Sequence, residues 1–74
     1  MLKIKASDLK QGDAILVERW SNLRMRVAPT TCTVMSVQEC PGGNLNIMAK
    51  AQDGFNEYVT DIVAPANAEF VASR

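Results

Sequence analysis

Between Leu45 and Ala51 every second residue is one that packs: Leu45, Ile47, Ala49 and Ala51 fall on one side of an extended chain, and Asn46, Met48 and Lys50 on the other. Strand side chains alternate between two faces, whereas an amphipathic helix needs apolar positions three and four apart, so this stretch predicts a half-buried strand. The same period governs nearly the whole chain. "ILVERW" follows a Gly-Asp turn at residues 12 and 13, Leu23, Met25 and Val27 alternate with Arg24 and Arg26 in "LRMRV", and "EYVTDIV" and "AEFVA" complete the set. "TCTVMSVQE" is rich in β-branched residues and reads as a long strand. Its Val34 and Val37 are out of phase, and a bulge near Met35 and Ser36 would turn both inward. No stretch has the spacing and length of a long helix.

The connections support strands. Ser21-Asn22 turns the first strand back onto "LRMRV", and Pro41-Gly42-Gly43-Asn44 breaks the chain before "LNIMAKA". Asp53-Gly54 is a strong hairpin signal, expected as the centre of a type I′ turn, where both central residues need positive φ. Pro65-Ala66-Asn67 predicts a short helical turn before the last strand, and "SDLKQG" another, capped by Ser7 or Asp8.

At 74 residues the chain is a single domain over 1–74, close to the lower limit for a fold held by its core alone. It is 47% hydrophobic, but nine of those residues are alanine, so stability is modest and self-association is a natural source of further burial. Five to six short antiparallel strands in so few residues are too few for two full sheets and suit a small, strongly bent barrel. The expected core is Leu9, Ile15, Val17, Val34, Val37, Leu45, Ile47, Ala49, Ile62 and Phe70.

The order of features resembles the SH3-like barrel: an opening "DLKQGDAILV", a long first hairpin in the RT-loop position, meandering strands, then a turn and a closing strand. The "L-x-x-G-D-x-I" opening is similar to that of KOW-type modules. The order "DLKQGD … CTVMSV … PGG … QDG … APANAEF" resembles short uncharacterised proteins of bacteria and their phages. The resemblance implies an all-β, SH3-like small barrel with a long first (RT-like) hairpin. It implies no binding residue, because after "GDAI" the sequence departs from the KOW pattern.

Net charge is zero, which argues against a surface built wholly for nucleic acid. The distribution is uneven. Residues 1–27 carry Lys3, Lys5, Lys10, Arg19, Arg24 and Arg26 against three acids, for +3, and residues 28–74 stand at −3. That polarity permits one basic face, or head-to-tail pairing of protomers in a homo-oligomer. "MLKIKASDL" has no apolar signal region, no run approaches a membrane span, and Cys32 and Cys40 have no zinc spacing. On one strand the two cysteines would lie about 26 Å apart at ~3.3 Å per residue, too far to bridge. A cytoplasmic protein with reduced thiols, one of them packed inside, is expected.

The absence of histidine removes His-based triads, His-assisted cysteine catalysis and most zinc sites. Asp8, Asp13, Glu18, Asp53, Glu57 and Asp61 read as solvated surface, and "PGG" as a turn, not a phosphate loop. The chain reads as no enzyme, with no catalytic residue, cofactor or metal.

What remains is "RWSNLRMRVAP", with three arginines, the single tryptophan and no acid between Glu18 and Glu39. If Leu23, Met25 and Val27 face the core, Arg24 and Arg26 face water, with Arg19 and Trp20 nearby. Arginine forks suit carboxylates or phosphates, and an indole offers a flat apolar platform. Arg19, Trp20, Arg24 and Arg26 are therefore the candidate partner-binding residues of a non-enzymatic binding module. A protein partner comes first and nucleic acid second, since three arginines neutralise only about three phosphates. A third reading is a structural or assembly protein acting by self-association. The competing bland reading has the arginines guarding a strand edge and Trp20 anchoring its own loop. Met25, Met35 and Met48 are either core filling or, if Met35 or Met48 faces outward, a soft secondary patch.

Overall fold

The computed structural model describes residues 2–73 and shows six antiparallel strands in one sheet. In chain order they are β1 (Leu2–Lys5), β2 (Ala14–Ser21), β3 (Arg26–Glu39), β4 (Asn44–Asp53), β5 (Asn56–Pro65) and β6 (Glu69–Ser73). In space the order is β1-β6-β2-β3-β4-β5, so β1 and β5 are the edges. Among the described residues no ladder joins those two strands: the sheet is all-β as the alternation implies, but open and not a closed barrel. Arg74, counted in the charge above, lies outside the described residues.

The inner face gathers one core. Ile4 of β1, Leu9, Ile15 of β2, Cys32 and Val34 of β3, Leu45, Ile47, Ala49 and Ala51 of β4 and Ala72 of β6 are buried in one cluster. Six of the ten expected core residues lie in it, and the other four, Val17, Val37, Ile62 and Phe70, are partly buried and pack against it. Residues from five strands reach one cluster only because the sheet curls around it. Alanines at four of the buried positions (Ala6, Ala49, Ala51, Ala72) let the curled backbones approach closely.

The bulge falls where the phase error requires it. The β3–β4 register runs Val34↔Ala49 and resumes at Ser36↔Met48, leaving Met35 as the extra residue and returning Val37 to the inner face opposite Ile47. β4 and β5 then pair without a break from Asn44↔Pro65 to Asp53↔Asn56.

Four local expectations are corrected. "LRMRV" is no separate strand: β3 begins at Arg26 and runs fourteen residues through Pro29. Proline, with no N–H to donate, is accommodated there because β4 pairs with β3 only from Cys32 onward, so Pro29 has a ladder partner on the β2 side alone. The β4–β5 turn centres on Gly54 and Phe55, flanked by the pair Asp53↔Asn56. Gly54 has φ +64° while Phe55 is not positive, the pattern of type II′ and not I′. Pro65–Ala68 is a single hydrogen-bonded turn, Ala68 N–H to the Pro65 carbonyl at 3.0 Å, and not a helical one. The opening does contain a 3-10 turn, Ala6–Asp8, but Lys5 holds its N-cap position and no side chain caps it. β1 itself is an addition, too short for alternation to reveal.

Candidate functional site

Two turns meet at one end of the sheet. The first joins β2 to β3 through residues 22–25, flanked by the pair Ser21↔Arg26. The second is Gly54-Phe55. Ser21, buried at the end of β2, binds them together: its hydroxyl donates to Asp53 Oδ1 at 2.7 Å and accepts the Arg24 N–H at 3.1 Å. The other Asp53 oxygen accepts the Asn22 N–H at 3.1 Å. Leu23 lies over the second turn, its Cδ2 2.8 Å from where a Cβ on Gly54 would stand. The aspartate expected at the centre of a hairpin turn is instead a strand residue, and the one-residue displacement frees its carboxylate to clasp the neighbouring turn.

That displacement also puts Phe55 at the tip, fully exposed. Leu23, Met25, Val27 and Trp20 are exposed with it, and Trp20 pairs across the strands with Val27. Met25 closes the first turn, its N–H donating to the Ser21 carbonyl at 2.7 Å, with φ +55°. It is the one non-glycine residue with positive φ among the described residues. A left-handed conformation costs a side-chain-bearing residue on the order of 1 kcal/mol, and glycine would avoid it. The sequence keeps a long apolar side chain there and holds it in water.

The expectation that Leu23, Met25 and Val27 face the core is therefore overturned. Leu23 and Met25 belong to the turn, where strand alternation does not operate, and Val27 lies on the outer face opposite Trp20. The four predicted site residues are not brought together as one group. Trp20, Arg24 and Arg26 are exposed at this end, with the Trp20 indole N–H donating to Asn22 Oδ1 at 3.0 Å. Arg19, one position from Trp20, takes the opposite face of β2, half-buried and paired with the buried Ala28. It faces Cys32. Burial raises the Cys32 thiol above the ordinary thiol range, and the Arg19 guanidinium opposes that shift. Its Sγ makes only a long 3.7 Å contact with the Thr30 carbonyl. Both cysteines are free.

Read from the sequence with Tyr58 and Phe70 as core or hairpin packing, Phe55 is instead exposed at the turn, in phase with the exposed Glu57, Val59, Asp61 and Val63 of β5. The signal that could have found it is the glycine before it, which serves a type II′ turn as well as a type I′. Met35 and Met48 do face outward, each a little over one-third exposed, on the outer face of β3 and β4.

Among the described residues no group of histidine, cysteine, aspartate and glutamate could hold a metal, and no helix is long and apolar enough to cross a membrane. No protein-family model, curated protein or solved structure matches the chain.

Proposed function

We propose that this protein is a non-enzymatic binding module of SH3-like barrel character, working in the cytoplasm, that recognises a protein partner with the end of the sheet where its two turns meet. The observation that carries the reading is the exposure of Trp20, Leu23, Met25, Val27 and Phe55 at one end of the sheet, with Arg24 in the same turn and Arg26 exposed on the opposite face of the ladder. Apolar surface gathered at one place and rimmed by charge is what interfaces present, and aromatic residues, methionine and arginine are the types enriched there. The Ser21–Asp53 clasp supports it further, because a patch held on hydrogen-bonded turns loses less conformational entropy on binding than one on free loops. The strained Met25 is a third support, since strain that packing does not require is kept for what its side chain does.

The partner's chemistry follows from the patch: an apolar or aromatic side chain seated between the exposed residues, with a carboxylate reaching Arg24. Arg26, paired with Ser21, shares the face of Arg19, so Arg24 in the turn is the guanidinium nearest the apolar residues, which favours a protein carboxylate over a polyphosphate backbone. The test is capture from host lysate, with and without nuclease, by wild type, Phe55→Ser/Met25→Ser and Arg24→Glu/Arg26→Glu. A nuclease-resistant protein lost from both variants is expected. The same proteins on all three baits would overturn the reading, and loss on nuclease treatment would replace it with nucleic-acid binding.

A further inference from the structure

The two edges of the open sheet are opposite in charge. On β1, Ile4 turns into the core while Lys3 and Lys5 stand exposed on the other face. On β5, Glu57 and Asp61 are exposed on the outer face, alternating with exposed Val59 and Val63. Lys50 of β4 lies 3.8 Å from Glu57, while Asp61 makes no ion pair among the described residues. Like charges directly across a ladder repel and unlike charges attract, so each edge disfavours a copy of itself and favours the other.

Apart from Glu57 and Asp61, β5 lacks the usual protections of an edge. It is ten residues long, has no lysine, pairs with β4 without a bulge, and carries proline only at its last position. Alternate residues along it point their N–H and C=O groups away from β4, ready for another strand. Its exposed valines supply the apolar area such a strand would cover.

We propose that copies of this chain associate head to tail, β1 of one molecule pairing antiparallel with β5 of the next and continuing the sheet across molecules. Alternation and charge select a register. Lys3 opposite Asp61 of the next copy sets Lys5 opposite its Val59, diagonal to its Glu57, and keeps Ile4 and Thr60 together on the inner side. A slip of one residue would put a lysine on the inner face, and so is excluded. The contact joins two different surfaces, so it grows into a ring if the rotation closes and a filament if it does not. β1 contributes four residues, so the ladder is short and its association depends on concentration and salt. This inference stands independently of the turn-end surface.

Sedimentation velocity of the full chain tests it, using wild type, Lys3→Glu/Lys5→Glu and Glu57→Lys/Asp61→Lys. Wild type at submillimolar concentration and low salt is expected to sediment as more than a monomer, and to return towards one near 1 M salt, where screening length falls to ~3 Å. Each variant alone, with two edges of the same sign, is expected to lose association. An equimolar mixture regains it, because alternating molecules set reversed β1 against reversed β5 and native β1 against native β5, each pair opposite in sign. All substituted positions are exposed, and circular dichroism of each variant checks that it is folded. A variant that fails that check is replaced by Lys3→Gln/Lys5→Gln, for which partial loss is expected. A wild type that stays monomeric, or variants that associate as wild type does, would overturn the proposal.

Discussion

The Ser21 hydroxyl and the Asp53 carboxylate, 32 residues apart in the chain, meet at 2.7 Å and join the turn after β2 to the turn after β4. Ser21 is buried and uses its oxygen twice, so neither partner can be lost without leaving a polar group stranded. Asp53→Ala removes two hydrogen bonds to a carboxylate and is expected to destabilise by about 1.5–3 kcal/mol. In a domain this size that lowers Tm by roughly 4–8 °C per kcal/mol. Asp53→Asn keeps one acceptor and should cost less. Urea unfolding gives the values, and hydrogen exchange at Asn22 and Arg24 should accelerate first, since those amides lose the clasp directly.

The two positive-φ positions at this end predict opposite outcomes. Gly54→Ala should destabilise by about 1 kcal/mol or more, because φ +64° is strained for any side chain. Leu23→Ala in the same chain should not restore stability, since only a flexible side-chain end crowds the new Cβ while the backbone cost remains. Met25→Gly should instead stabilise by up to ~1 kcal/mol, and on the binding reading it should weaken partner capture at the same time.

Exposed residues of the patch should be separable from the fold. Phe55→Ser is expected to change stability by less than about 0.5 kcal/mol, the ordinary range for surface substitutions. Trp20→Ala, more than half exposed, should stay folded too. A loss of several kcal/mol at Trp20 would make it a structural anchor and remove it from the surface.

Cys32 predicts a pH dependence. Burial holds its folded-state pKa above that of the unfolded chain, so the neutral thiol is the form the fold accepts. Its contribution is fully present below the unfolded thiol pKa of about 8.5 and is lost as pH rises from there through the folded value. Stability should therefore decline in mildly alkaline solution, and Cys32→Ala should flatten that decline. Thiol titration at pH 8 should show Cys40 reacting first and Cys32 only on unfolding, because Cys32 is buried and Cys40 is half-exposed.

Much of this molecule is determined by its sequence alone. The alternation of Leu45, Ile47, Ala49 and Ala51 sets the inner face of β4, and the phase break between Val34 and Val37 requires the bulge at Met35. Both follow from the two-residue period of a strand, which is local. Tertiary structure decided what that period does not reach. Leu23 and Met25 sit in a four-residue turn, where direction comes from hydrogen bonds to Ser21 and not from alternation. Whether the turn centre is Asp53-Gly54 or Gly54-Phe55 is a one-residue choice that both hairpin types allow. In the structure the second centre is the one that brings Asp53 to Ser21 and Asn22, and that contact exists only when strands distant in the chain have come together. The exposure of Phe55 and the open, oppositely charged edges likewise depend on the packing of the sheet as a whole, whereas the parting of Arg19 from Trp20 follows from the strand period itself.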